Sequence, residues 1–358
     1  MTAERLALLA EGLFADHHAK TAHGVIRYGQ REVVAVIDST EAGRTATDVM
    51  PFCDRPVPIV GSVGEAAKLG ATVLLVGVAP TGGRLDDAWQ AALLEGIAYG
   101  MDLEAGLHSL LADDPKLKAA ARAKGVGLRD LRATPADLDV PRRPGERPVG
   151  LRVVHTVGSD VVAGKKVTAL ELDRAARERG LSSAFVATGQ TGVAISGWGI
   201  AVDHVISDFV AGAGERLVDE GSTRGDLLFV EGQGAIVHPA YSAVTLGLLH
   251  GCAPDAIVLT HIAGASSLRN YPSLAIPPLT ELIGLYEGLA APIRPTRVAA
   301  IAVNTSALDE DGARRSIASI EDSCDLPADD VVRFGAERLL DAVLAGLSNS
   351  AAQPSGAK

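Results

Sequence analysis

The sequence predicts an α/β protein, with an N-terminal Rossmann-like domain and a C-terminal P-loop NTPase-like domain built on a mostly parallel sheet. Three observations carry this. Short β-branched runs alternate with helical stretches in both halves of the 358-residue chain, the pattern of parallel strands joined by crossover helices. Hydrophobic residues make up 47% and aromatics 4%, with 39 glycines, which suits a core of Ala, Val, Leu and Ile and disfavours an aromatic-rich sandwich or barrel. A proline-rich stretch before residue 151 separates two segments of domain length.

The start, MTAERLALLAEGLFADHHAK, carries Glu4, Glu11 and Asp16 and no cleavage site, and reads as an amphipathic helix rather than a signal peptide. EVVAVI (32–37) and TVLLVGV (72–78) are continuous apolar strands. The second ends in APTGG (79–83), which lacks G-x-G-x-x-G and predicts no NAD site. Helices follow over 86–99 and 116–124. Residues 133–150 hold Pro135, Pro141, Pro144 and Pro148 with no apolar period, as an interdomain linker does. The expected division is therefore 1–134, a linker 135–150, a P-loop domain 151–347, and a small polar tail 348–358 that is disordered. In the second domain LRVVHTV, SSAFVATG, DLLFVEG, DAIVLTH and RVAAIAVNT are strands, 167–180 a helix, and 334 onward a last helix.

The charge balance, 33 basic against 44 acidic residues for a net −11, argues against a nucleic-acid partner. Cys53, Cys252 and Cys324 form no C-x-x-C pair or disulfide framework, as in a reducing cytoplasm. No run nears the roughly 20 apolar residues of a membrane span. A cytoplasmic protein with a small-molecule ligand is expected, and LGLLHG leaves a homo-oligomer open.

The strongest chemical signal is Gly158-Ser159-Asp160-Val-Val-Ala-Gly164-Lys165, between a strand and a helix. Glycines let backbone amides turn inward, the helix N-terminus attracts an anion, and Lys165 reaches the phosphates as a point charge. Five residues separate the glycines instead of four, and Lys166 stands where a magnesium-holding hydroxyl is usual. Thr168 is the nearest hydroxyl on the helix. Glu231, ending DLLFV before Gly232-Gln233-Gly234, places a carboxylate beside the phosphates for Mg²⁺ or its water. Asp160 is a second candidate ligand, so the metal set is Thr168, Glu231 and Asp160.

The long loop, the VEG-x-G strand end and the late V-N strand end resemble dethiobiotin synthetase, which implies a magnesium ligand at Glu231 and an adenine contact at Asn304. A second resemblance spans nearly the whole chain. KTAHGVIRYG (20–29), VVAVIDSTEAGRTA, ATGQTGVAISGWGIAVDHVISDFVAGAGE (187–215), VEGQGAIVHPAYSAVTLGLLHG (230–251) and VRFGAERLLDAVL are similar to a bacterial P-loop family. That family was first catalogued as a domain of unknown function and includes the D-glutamate N-acetyltransferases. Here Lys166 replaces the family's Met, while Thr168 keeps its place. After His261 the chain reads HIAGASSLRNYPSLAIPPL where acetyltransferase-type members have an acidic-Pro-Thr-Arg segment.

Thr188, Gln190 and Thr191 follow a strand, where ligands bind in open α/β sheets, and would hydrogen-bond a substrate carboxylate or amide. The resemblance adds Asp208 and His23 as substrate contacts; Lys20, His23 and Arg27 form a basic stripe at helical spacing. Asp203 and Asp208, five apart, are not stacked neighbours on a helix. His238, after EGQG, has the pKa range of a general base for an amine. Three functions stay open. The resemblance implies acetyl transfer from acetyl-CoA to a small acidic amino acid, with Lys165, Glu231 and His238 in the catalytic set. The bare residues slightly favour a Mg²⁺-ATP-dependent ligase or kinase, as in dethiobiotin synthetase. Lys166 at the hydroxyl position suits a non-catalytic nucleotide-binding regulator.

Overall fold

A computed structural model describes residues 4–50, 52–78 and 87–351. The chain forms two compact units: one of residues up to 134 together with 189–204, the other of 135–188 and 205 onward. Among the described residues no helix is long and apolar enough to cross a membrane.

The first unit contains β1 (Arg5–Leu9), α1 (Lys20–Tyr28), β2 (Glu32–Ile37), α2 (Ala46–Val49), β3 (Ile59–Val60), α3 (Val63–Lys68), β4 (Val73–Val76), α4 (Asp87–Ala98), β5 (Asp102–Ala105), α5 (Pro115–Lys124) and β6 (Leu128–Asp130). Its parallel sheet has the order β3-β2-β1-β4-β5-β6, which is the Rossmann order. The N-terminus departs from expectation. Residues 5–9 are not helical but form β1, at the middle of the sheet. RLALL is a short apolar run, and burial on both faces erases the alternation that would separate strand from helix. The expected APTGG loop (79–83) lies outside the described residues.

The second unit continues with β7 (Arg152–Gly158), α6 (Lys165–Glu178) and β8 (Ser183–Val186). The chain passes through α7 (Gln190–Ser196), which belongs to the first unit, and returns for α8 (Val210–Gly221), β9 (Leu227–Val230), α9 (Ser242–Cys252) and β10 (Ala256–Ile262). A hairpin, β11 (Ser267–Leu268) and β12 (Tyr271–Ala275), precedes α10 (Leu279–Ala290), β13 (Arg297–Asn304), α11 (Glu310–Cys324), β14 (Ala328–Asp329) and α12 (Glu337–Ala351). The parallel sheet runs β14-β13-β10-β7-β9-β8. The strands are near-continuous Val, Ile, Leu and Ala because helices cover both faces. Leu259, Ile301, Leu282, Tyr286 and Ile317 pack into one core cluster on one side of β10 and β13.

Residues 135–150 carry no helix or strand and belong to the second unit. The Arg142 and Arg143 backbone N–H groups donate to Glu215, each at 2.8 Å, and Arg147 pairs with Asp255 at 2.9 Å. α12 runs to Ala351, so the first residues of the expected disordered tail are helical. The remainder, 352–358, lies outside the described residues.

Candidate active site at the carboxyl edge of the second sheet

β7 is central, so the loop that follows it is flanked by the ends of β9 and β10. Residues 158–165 form that loop. Gly164 adopts φ +116°, where a side chain would be strained, and no side chain among the described residues caps α6. The helix N-terminus thus presents its positive end to an anion. A Cβ on Gly158 would sit 2.7 Å from the Asp160 carbonyl and 2.8 Å from Lys165 Nζ, so the close turn requires glycine. Tyr286 Oη donates to the Gly158 carbonyl at 2.7 Å and accepts the Ile236 N–H at 3.1 Å, bracing the loop from beneath.

Lys165 is buried, and Nζ donates to the Asp160 carbonyl at 2.9 Å. Burial pulls its pKa down to about 8, against the opposing pull of Asp160 and Glu231. The group is therefore still cationic at pH 7, in a place where a charge is costly without an anion. Glu231 is also buried, and its Oε2 accepts the Thr188 N–H at 3.1 Å. Gly232 N–H donates to Thr156 Oγ1 at 3.0 Å. A Cβ at Gly232 would collide with the Thr156 carbonyl and come within 3.0 Å of Lys165 Cδ. Backbone and lysine need that space.

Asp160 spends both carboxylate oxygens on backbone: Oδ1 accepts from Val161 N–H and Oδ2 from Arg269 N–H, each at 2.7 Å. That is the arrangement of a loop brace. Glu231 and Thr168 carry oxygen donors of the kind a magnesium ion takes. Thr168 lines a cavity of about 450 Å³ with Gly164, Asn304, Val331, Val332 and Arg333. The start of α6 and the end of β13 thus share one apolar-walled recess, and the sequence-predicted Asn304 is in it.

His238 is fully buried. Its Nδ1 accepts the Ala240 N–H at 3.3 Å and its Nε2 faces the Arg269 carbonyl at 3.2 Å, with Asp160 Oδ1 at 4.0 Å. Both ring nitrogens are engaged with backbone, the geometry of a positioning group. His261, at the end of β10, offers more to a substrate. Nδ1 lies 2.9 Å from Ser159 Oγ, and Nε2 takes no further hydrogen bond among the described residues. Burial lowers the His261 pKa. Sequence reasoning missed this pairing because the two residues are 102 apart; a histidine ending a strand beside the loop was the available signal.

The remaining expected substrate residues are divided between the two units. Thr188 Oγ1 donates to the Glu231 carbonyl at 2.7 Å within the second unit. Gln190 and Thr191 open α7 rather than a loop. Thr191 Oγ1 is 2.8 Å from Thr21 Oγ1 in the first unit. There too His23, its pKa lowered by burial, uses Nε2 on the Phe14 carbonyl at 2.7 Å. Asp208 is exposed in the second unit, and Asp203 pairs with Arg132 in the first. The two stand on separate short 3-10 turns instead of one helix.

Comparison with known proteins agrees with the two-part architecture. Residues 144–340 match the DUF1611 family, described as a domain of unknown function (DUF1611_C) P-loop domain. Residues 39–134 match the DUF1611_N Rossmann-like domain. A protein of Tritonibacter scottomollicae named D-glutamate N-acetyltransferase is 40% identical over 299 residues, 83% of this chain and 88% of that one. One from Pseudoalteromonas with the same name is 35% identical over 281 residues, 78% and 83% of the respective chains. A crystal structure of a DUF1611 family protein from Anabaena variabilis superposes with a TM-score of 0.88 at 42% identity, covering 96% of this chain and 99% of that one.

Proposed function

The chain belongs to the DUF1611 family, and on that footing we propose that it is an N-acyltransferase acting on the amino group of a small acidic amino acid. D-glutamate is the acceptor in the names of two relatives. The donor in this reading is acetyl-CoA, its diphosphate on the loop 158–165 and its adenine in the recess of Thr168 and Asn304. The supporting observation is the continuity of an uncapped helix N-terminus, a buried Lys165 and a cavity of about 450 Å³ along one sheet edge. When bound, the donor supplies an activated acyl carbon.

The chain's own residues do the rest. Lys165 and the α6 amides neutralise and orient phosphate. His261 Nε2 receives the proton that an ammonium must lose to become a nucleophile, while Ser159 fixes the ring through Nδ1. His238 holds the backbone beside the loop. Glu231 and Thr168 serve a magnesium ion where the ligand brings one.

Thermal melts in the presence of acetyl-CoA and of Mg²⁺-ATP test this reading. Saturation at a hundred times the dissociation constant adds about 2.7 kcal/mol, so acetyl-CoA should raise the melting temperature and Lys165→Ala should abolish the rise. A rise with Mg²⁺-ATP alone would replace acyl transfer by the ligase or kinase reading.

A further inference from the structure

Two buried ionisable side chains at this site serve one backbone residue. Asp160, in the phosphate loop, is 4% exposed, and His238, after the β9 strand end, is 0% exposed. Asp160 Oδ2 accepts the Arg269 N–H at 2.7 Å, and His238 Nε2 donates to the Arg269 carbonyl at 3.2 Å. His238 Nδ1 accepts from Ala240, which leaves Nε2 as the donor to Arg269. Burying such groups is unfavourable unless their hydrogen bonds are satisfied. Here both are satisfied by fixing the same point of the chain.

That point is the two-residue turn Arg269–Asn270 between β11 and β12, with Asn270 at φ +68° as tight hairpin turns require. Leu268 is buried on one side of it. On the other, the Tyr271 ring meets His238 edge-on, with centroids 5.2 Å apart. The backbone of Arg269 is therefore held against the phosphate loop from both ends. Its side chain is exposed, with no ion pair or hydrogen bond among the described residues, in a chain of net charge −11.

We propose that Arg269 is an anion clamp that closes on the phosphate groups of a ligand seated on residues 158–165. The proposal rests on the cofactor reading above and adds a residue to it. A planar guanidinium contributes two parallel donors to a phosphate, which the point charge of Lys165 does not. Asp160 and His238 are its positioning residues. Phosphate is the matched oxyanion because the anchor, Asp160, lies within the phosphate loop itself.

The test compares wild type, Arg269→Ala and Arg269→Lys. Affinities are measured for acetyl-CoA and inorganic pyrophosphate, with the KM for the amino-acid acceptor as the carboxylate arm. Arg269→Ala should weaken both phosphate probes about 10- to 100-fold, with an unchanged unliganded melting temperature and a shallower salt dependence of binding. Arg269→Lys should restore only part. Unchanged phosphate affinity in Arg269→Ala overturns the clamp alone. A loss confined to the acceptor's KM also overturns it, reassigning Arg269 to a carboxylate. A wild-type protein that binds neither phosphate probe removes the cofactor reading and the clamp together.

Discussion

Lys165 sets the electrostatics of the site. With a pKa of about 8, it is roughly half protonated at pH 8. A bound phosphate adds an opposite charge at close range and raises the pKa. Binding of acetyl-CoA at pH 8 should therefore take up about half a proton per site, and at pH 6.5 almost none. Calorimetry in two buffers of different ionisation enthalpy reads this directly, and Lys165→Met should show no uptake. The places of Lys165 at the start of α6 and of Glu231 after β9 were legible from local spacing. Arg269 and Tyr286 were not, because their partners Asp160 and Gly158 lie 109 and 128 residues away. A tyrosine in an apolar helix reads as core until its hydroxyl is seen under the loop.

Among elements, β7 carries the most constraint. It is flanked by β9 and β10, and His155 within it is buried, its Nδ1 without a hydrogen-bond partner among the described residues. Burial, aided by Lys165, drives the His155 pKa to about 4. Between pH 6.5 and 4 the unfolded chain is protonated at this position and the folded one is not, so stability falls as pH drops through that window. From pH 6.5 to 5 the loss from this residue is about 2 kcal/mol. His155→Leu should flatten that part of the stability profile in urea titrations. Strands bounded by turn residues were readable in place; EVVAVI at 32–37 is β2 residue for residue. The β11–β12 hairpin was not. Its turn, Arg269–Asn270, lacks the Asn-Gly or Gly-containing pair that announces a tight hairpin.

For the whole molecule, the proline-rich segment is fastened rather than free. Asp255 receives Arg147 at 2.9 Å and Arg294 at 2.7 Å and also accepts the Val153 N–H at 2.8 Å. Arg147 and Asp255 are both buried. Asp255→Ala would leave a buried arginine uncompensated, a loss of about 3–5 kcal/mol. In a unit of this size that lowers the melting temperature by on the order of 10 °C, with faster proteolysis between 135 and 150. That the segment carries no helix or strand was legible from its prolines. Its docking was not, because the acid that holds it lies 108 residues on.

The excursion of residues 189–204 into the first unit has a consequence for biogenesis. α7 rests on α1, with Thr191 bonded to Thr21 and Ile195 filling the space beside Gly24. On the ribosome the first sheet emerges complete, yet this helix follows about 55 residues later, roughly 3–11 s at ordinary translation rates. The nascent first unit must wait through that interval with α1 uncovered. A chain cut at the proline-rich segment never receives its missing wall.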